Sequence, residues 1–430
     1  MIDIANSVVH ADLPQPSKPK ALIRELSNVG SYDPYSSIQQ QNNQRVMADV
    51  DAHLSQSTSH QKRVNALINH AATEFYKPQI RYSLPLSRKP GKELFYEALN
   101  ELAGMLKGGE PVSLKRAVYL VEHAYDPTIP FDHFDNNIKE AASHILMKLD
   151  QDGFDASDNL AKNMMIFRYM ADTLEVKYEG IEQPVITYPM SYDFDDFWGR
   201  RDYSKMFVSK LIRDGTGQCH SLPLLYLLIA EEIGADANLA FAPNHSYIKF
   251  KDSYGTWQSL ELTAGAISSE NFIIQGGFVK SEALKSKIYL EPLTKKQLIA
   301  QTVNDLVLAY TRKYGHDDDD FFKLSTSLVY EVFPNNITTH QILANYYLDR
   351  LNYVIRQYKE HEFSKEQFEQ DQEAQSLVAS VKGANKYIQK LGYADMPEEV
   401  YSRWLESVKE KASGQYSNVK MEQLNDLIKK

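Results

Sequence analysis

The sequence predicts an α+β protein, in which a helix packed on an antiparallel sheet is embedded in a predominantly helical chain with a C-terminal helical array. Three observations lead there. Apolar residues recur at helical spacing over 61–194 and again after 295, while the stretch between turns into short β-rich runs broken by Gly and Asn. The lone cysteine stands at the head of an apolar segment, Leu222 to Ile233. The hydrophobic content of 43% over 430 residues buries enough surface for two or three substructures and argues against wholesale disorder.

Taken in order, residues 1–60 carry Pro14, Pro16 and Pro19 and a Ser-, Gln- and Asn-rich run, and read as a tail that cannot order itself. Residues 61–194 form a helical region. Within it Ser113 caps a segment ended by Asp126-Pro127, Ile138, Ala141, Ile145 and Leu149 make one stripe of a helix over 136–149, and a further helix runs from Asn159 to Leu174. The core spans 195–295, with strands expected at Asn238–Ala242, Ser246–Lys251 and Thr256–Leu262. Residues 296–430 return to helices, at 297–314, 321–333 and 338–358, and the turn after Val332 suggests a tetratricopeptide-like array.

A net charge of -10, with no cluster of Lys and Arg, disfavours nucleic acid and anionic membranes as partners. One Cys excludes an internal disulfide and a Cys-based zinc knuckle, and no His-x-x-x-His, Gly-rich phosphate loop or Gly-x-Ser-x-Gly elbow is present, so neither metal nor cofactor is expected. The run Asp317–Asp320 lacks the spacing of a calcium loop and reads as a solvated helix cap. No stretch approaches a membrane helix and the N-terminus lacks a signal pattern, which makes cytoplasm the default; an exported protein whose signal is missing looks the same.

Chemistry concentrates at Asp214-Gly-Thr-Gly-Gln-Cys219-His. Glycines deliver the chain into the first turn of an apolar helix, and a helix N-terminus favours a thiolate and offers N–H groups to an oxyanion. His245, at a strand opening, is the candidate base. Glu261, on the next strand, is the candidate orienting acid, with Asp252 or a backbone carbonyl as alternatives. Gln218, Trp198 and Asn244 flank these residues as substrate-binding candidates. The aromatic group Tyr192, Phe194, Phe197, Trp198 and Tyr203 lines a groove or fills the core, and His220 diverges from Cys219 by helical geometry.

Gly-x-Cys at a helix start, His on one strand and an acid on the next resemble the transglutaminase-like superfamily, distantly related to papain-type enzymes. The closest branch is the SirB-like one, which joins such a core to tetratricopeptide-like helices. The resemblance covers 112–350 and includes Ser113 to Val121, the Cys219 helix, Pro243-Asn-His245 and Glu261-Leu-Thr-Ala-Gly265. It implies Cys219 as nucleophile, His245 as base, Glu261 as orienting acid where the family more often has Asp, and Gly217 and Gly265 as backbone positions. The implied activity is hydrolysis or acyl transfer at an amide or peptide bond of a protein or peptide substrate. A non-catalytic scaffold that binds a partner on the helical array is the reading from another class.

Overall fold

The computed structural model describes residues 79–268, 279–403 and 406, so the predicted tail lies outside the described residues. The described chain is 58% helical with small sheets, in keeping with the α+β class. Two units divide it.

The larger unit takes in residues 89–313, 324–337 and the C-terminal stretch from 389. It opens with four helices, α1 (Lys92–Lys107), α2 (Leu114–Tyr125), α3 (Phe131–Gln151) and α4 (Asn159–Ala171). The cap predicted for α2 is present: the Ser113 hydroxyl accepts from the Arg116 N–H at 3.2 Å. Glu231 adds to it by accepting from the N–H groups of Leu114 and Lys115, each at 2.9 Å. The predicted stripe of α3 is buried throughout. The helix expected to reach Leu174 stops at Ala171, because Asp172 is extended, and Leu174–Val176 instead forms β1, antiparallel to β2 (Val185–Thr187).

Next come β3 (Ser191–Tyr192), a short 3-10 turn at Tyr203–Met206, α5 (Val208–Asp214), β4 (Thr216–Gly217) and α6 (Ser221–Ile233). Every residue of α6 except Glu231 and Glu232 is buried, which is what an all-round apolar helix requires. It packs on α2, α3, α4, α5 and the sheet. Each buried Leu or Ile contributes about 1.5–3 kcal/mol, and the Tyr226 hydroxyl anchors the helix by donating to the backbone oxygen of Asn163 at 2.8 Å.

Four strands follow as an antiparallel meander in the order β5 (Asn238–Ala242), β6 (His245–Lys251), β7 (Trp257–Glu261) and β8 (Ala266–Ser268). The free edge of β5 is covered by the segment 290–293, whose Leu290 and Leu293 N–H groups donate to Phe241 and Leu239. Helices α7 (Ser281–Lys285), α8 (Lys295–Tyr314), α9 (Asp319–Val332), α10 (Ile337–Glu360), α11 (Lys365–Gln370) and α12 (Gln372–Lys390) come next among the described residues. A helical stretch over 398–403 follows them.

The smaller unit gathers residues 79–88, 314–323 and 338–388 of the described chain. Its core is built by Leu351, Val354 and Tyr358 of α10, Phe368 of α11, and Leu377 and Val381 of α12. Asp371 binds two of its tyrosines, accepting from Tyr358 at 2.5 Å and also from Tyr82. The acidic run caps α9 but is not the solvated cap expected: Asp318 accepts from the Phe321 N–H at 3.1 Å, Asp319 accepts from Tyr346, and Asp317 is buried and accepts from the Ser87 N–H.

Candidate active site

Cys219 lies in the turn that leads from β4 into α6, where the Leu222 N–H already bonds back to the Gln218 carbonyl. The turn is tight. A Cβ on Gly217 would meet the Ser221 hydroxyl at 2.6 Å and Leu211 at 3.0 Å, so only glycine fits there. The Ser221 hydroxyl accepts from the Gln218 N–H at 2.9 Å, and Ser246 of β6 donates to the Cys219 carbonyl at 2.5 Å. The helix and the sheet thus clamp the cysteine backbone from both sides.

His245 opens β6 after the two-residue link Pro243-Asn244. Pro at the first corner and Asn244 at φ +56 at the second follow the type II turn pattern, in which the left-handed position favours Asn or Gly. The turn directs the Asn244 carbonyl to the sulfur, which lies 3.9 Å away.

Ile248 pairs with Leu260 in the β6–β7 ladder, so Glu261, one step further, shares a face with Tyr247 and reaches His245 diagonally. The ring Nε2–H donates to Glu261 Oε2 at 2.5 Å, with both side chains buried. The other carboxylate oxygen accepts from the Thr263 N–H at 2.9 Å. Because a carboxylate only accepts, Nε2 carries a proton, and Nδ1 is the ring nitrogen able to exchange one with sulfur. Burial disfavours the imidazolium, but the Glu261 charge, a hydrogen bond with the Cys219 side chain and the Glu261 hydrogen bond outweigh it, pushing His245 up to about 10. The structure therefore brings together Cys219, His245 and Glu261. Asp252 is elsewhere, a half-buried turn residue accepting from the N–H groups of Tyr254 and Thr256.

The other predicted residues are placed differently. Gln218 is fully buried, and its amide nitrogen donates to the carbonyls of Asp193 and Asp196 at 3.2 and 3.1 Å, tying the aromatic loop to the cysteine turn. The parallel pairing of β3 with β4 reinforces this tie. Asn244 contributes its backbone oxygen. Gly265 lies in the turn between β7 and β8 at φ +52. His220 turns away from Cys219 toward Asp305 of α8, 3.7 Å distant, a carboxyl that burial pushes up against the pull of His220. Of the aromatic group, Tyr192, Trp198 and Tyr203 are buried, and Phe194 meets Tyr192 edge-on.

Sequence reasoning missed two groups. Asp196 accepts from the N–H groups of Arg200, Arg201 and Asp202 and so shapes the loop that carries Trp198. Tyr401, 182 residues after Cys219, places its hydroxyl 3.9 Å from the sulfur and stacks on Trp198 with ring centroids 4.7 Å apart. Cys219 is 5% exposed and Tyr401 1%. No local pattern signals a contact of that range.

Among the described residues no cluster of His, Cys, Asp or Glu could hold a metal ion, and no helix is long and apolar enough to cross a membrane. Comparison with protein-family models, with curated proteins and with solved structures gives no match to this chain.

Proposed function

We propose that the chain is a transglutaminase-like cysteine enzyme acting on an amide or peptide bond of a protein or peptide. The observation that carries this reading is the His245–Glu261 contact beside Cys219, with the ring held toward its protonated form. In the reaction Cys219 attacks the carbonyl carbon as the thiolate, and the backbone N–H of Cys219 itself, at the head of α6, stabilises the oxyanion. His245 gives its proton to the leaving amine as the C–N bond breaks and a thioester forms. Water or an acceptor amine then attacks the thioester, His245 takes up the proton released, and the thiolate leaves. Glu261 holds the ring in place throughout.

One observation favours a second reading, that of a non-catalytic scaffold: Tyr401 covers the sulfur. Acylation separates the two. The chain and its Tyr401→Ala form are mixed with p-nitrophenyl acetate, and the nitrophenol burst and the mass of the Cys219 peptide are followed. The enzyme reading expects about one equivalent of burst, an acetyl group on Cys219 and loss of both in His245→Ala. If Cys219 acylates no faster in the folded proteins than His245→Ala allows, the scaffold reading replaces it.

A further inference from the structure

We propose that Trp198 and Phe197 form a slot for an aromatic side chain of the substrate, and that Tyr401 fills this slot in the resting chain, so turnover requires its segment to withdraw. This rests on the catalytic reading of Cys219. The Tyr401 ring is stacked on Trp198 at an interplanar angle of 22° and tilted against Phe197 at a centroid distance of 5.5 Å. Its hydroxyl stands 3.9 Å from Sγ, where a carbonyl carbon must approach to about 3–3.5 Å for attack. Ring and substrate cannot both be present.

The occupant is chemically inert. Burial first, then the Cys219 charge, pushes the Tyr401 hydroxyl well up, so a neutral phenol faces the sulfur. Beyond the ring itself, which is buried against Trp198 and Phe197, its attachment is light. Helical stretch 398–403 begins with the N–H groups of Val400 and Tyr401 bonding to the Pro397 carbonyl, and it is tied to the aromatic loop by Arg200, whose guanidinium donates to both oxygens of Glu398 at 3.0 and 3.1 Å. Glu398 is half open to water, and ion pairs of that kind hold weakly. A buried aromatic ring on a releasable tether, laid on a stacking platform beside a nucleophile, has the form of a side chain standing in for one that arrives with the substrate.

The test uses the full chain, whose single thiol makes the readout unambiguous. Alkylation by iodoacetamide at pH 7.5 is compared in the wild type, Tyr401→Ala and Tyr401→Phe. Removing the ring is expected to raise the rate at least about tenfold, while keeping the ring without its hydroxyl leaves it within about twofold. In Tyr401→Ala, N-acetyl-phenylalanine chloromethyl ketone is expected to outpace its alanine counterpart by about fivefold, the scale of one aromatic stacking contact. Should Tyr401→Ala lose its helical circular dichroism, Glu398→Gln loosens only the tether, with an expected rise of roughly two- to fivefold. Equal rates in wild type and folded Tyr401→Ala, a Tyr401→Phe rate matching that of Tyr401→Ala, or equal rates with the two ketones overturn the proposal. Failure of the catalytic reading looks different: in Tyr401→Ala the exposed thiol reacts equally with or without His245.

Discussion

Replacing Glu261 with Gln keeps the shape of the side chain and removes the charge that faces the His245 ring. In the native protein the ring is held at about 10 against the ordinary 6.5. A shift of that size, near 3.5 pH units, corresponds to about 5 kcal/mol at 1.36 kcal/mol per unit, all of it won against burial. A charge-assisted hydrogen bond contributes about 1.5–3 kcal/mol and a neutral one about 1. The substitution forfeits that difference and also the Coulomb attraction that is the largest upward influence on the ring, so the ring is expected to titrate at about 8 or below. The assay is a 13C NMR titration of histidine-labelled protein from pH 5 to 11, with His245→Gln identifying the signal among the 12 histidines. It does not depend on access to the sulfur. Stability has a matching sign: a ring raised in the folded state stabilises fully below about 6.5, and this contribution is lost as the pH rises through about 10. The substitution narrows that window from above. A midpoint within half a unit of the wild type would refute the assignment of Glu261 as the residue that holds the ring.

Two further predictions concern the scaffold. Glu122 is buried and accepts from the N–H groups of Val208 and Ser209 at the start of α5, and burial pushes it up to about 7 from 4.5. Its contribution is therefore fully present below pH 4.5 and lost as the pH rises through 7, a loss of up to about 3 kcal/mol that Glu122→Gln should abolish; urea denaturation from pH 4.5 to 8 with parallel slopes in both proteins would count against it. Gly392 sits at φ +88 with an added Cβ only 2.2 Å from the Ala283 nitrogen, whereas Gly383, inside α12, has open space around it. Thermal unfolding should show Gly392→Ala losing at least about 2 kcal/mol. Gly383→Ala should instead gain about 0.5–1.

The elements that lean on local chemistry were legible. Ser113 caps α2 because a hydroxyl meets the orphan N–H groups of a helix start, β5 has the predicted bounds, and the apolar run after Cys219 is the central helix. Leu174 was misread because its apolar side chain continues the α4 pattern, while Asp172 in an extended conformation had already ended the helix. At the site, Cys219, His245 and Glu261 were readable because each occupies a recognisable position, a helix head, a strand opening and the neighbouring strand. The contact that Tyr401 makes was not, since it depends on packing between segments far apart in sequence, and the choice of Glu261 over Asp252 depended on the hairpin register, which puts Asp252 in the turn at the far end of β6 and brings Glu261 back beside His245.

The distance along the chain between Cys219 and the ring that covers it also sets an order of events during synthesis. The strands and helix that hold Cys219, His245 and Glu261 all precede β8, whereas Tyr401 is translated 182 residues after the cysteine. At about 5–20 residues per second, the ribosome needs on the order of ten seconds or more to make that stretch. For that interval the nascent protein carries its sulfur without the tyrosine, exposed to whatever electrophile or folding partner it meets, and protection comes only when the last helices are made.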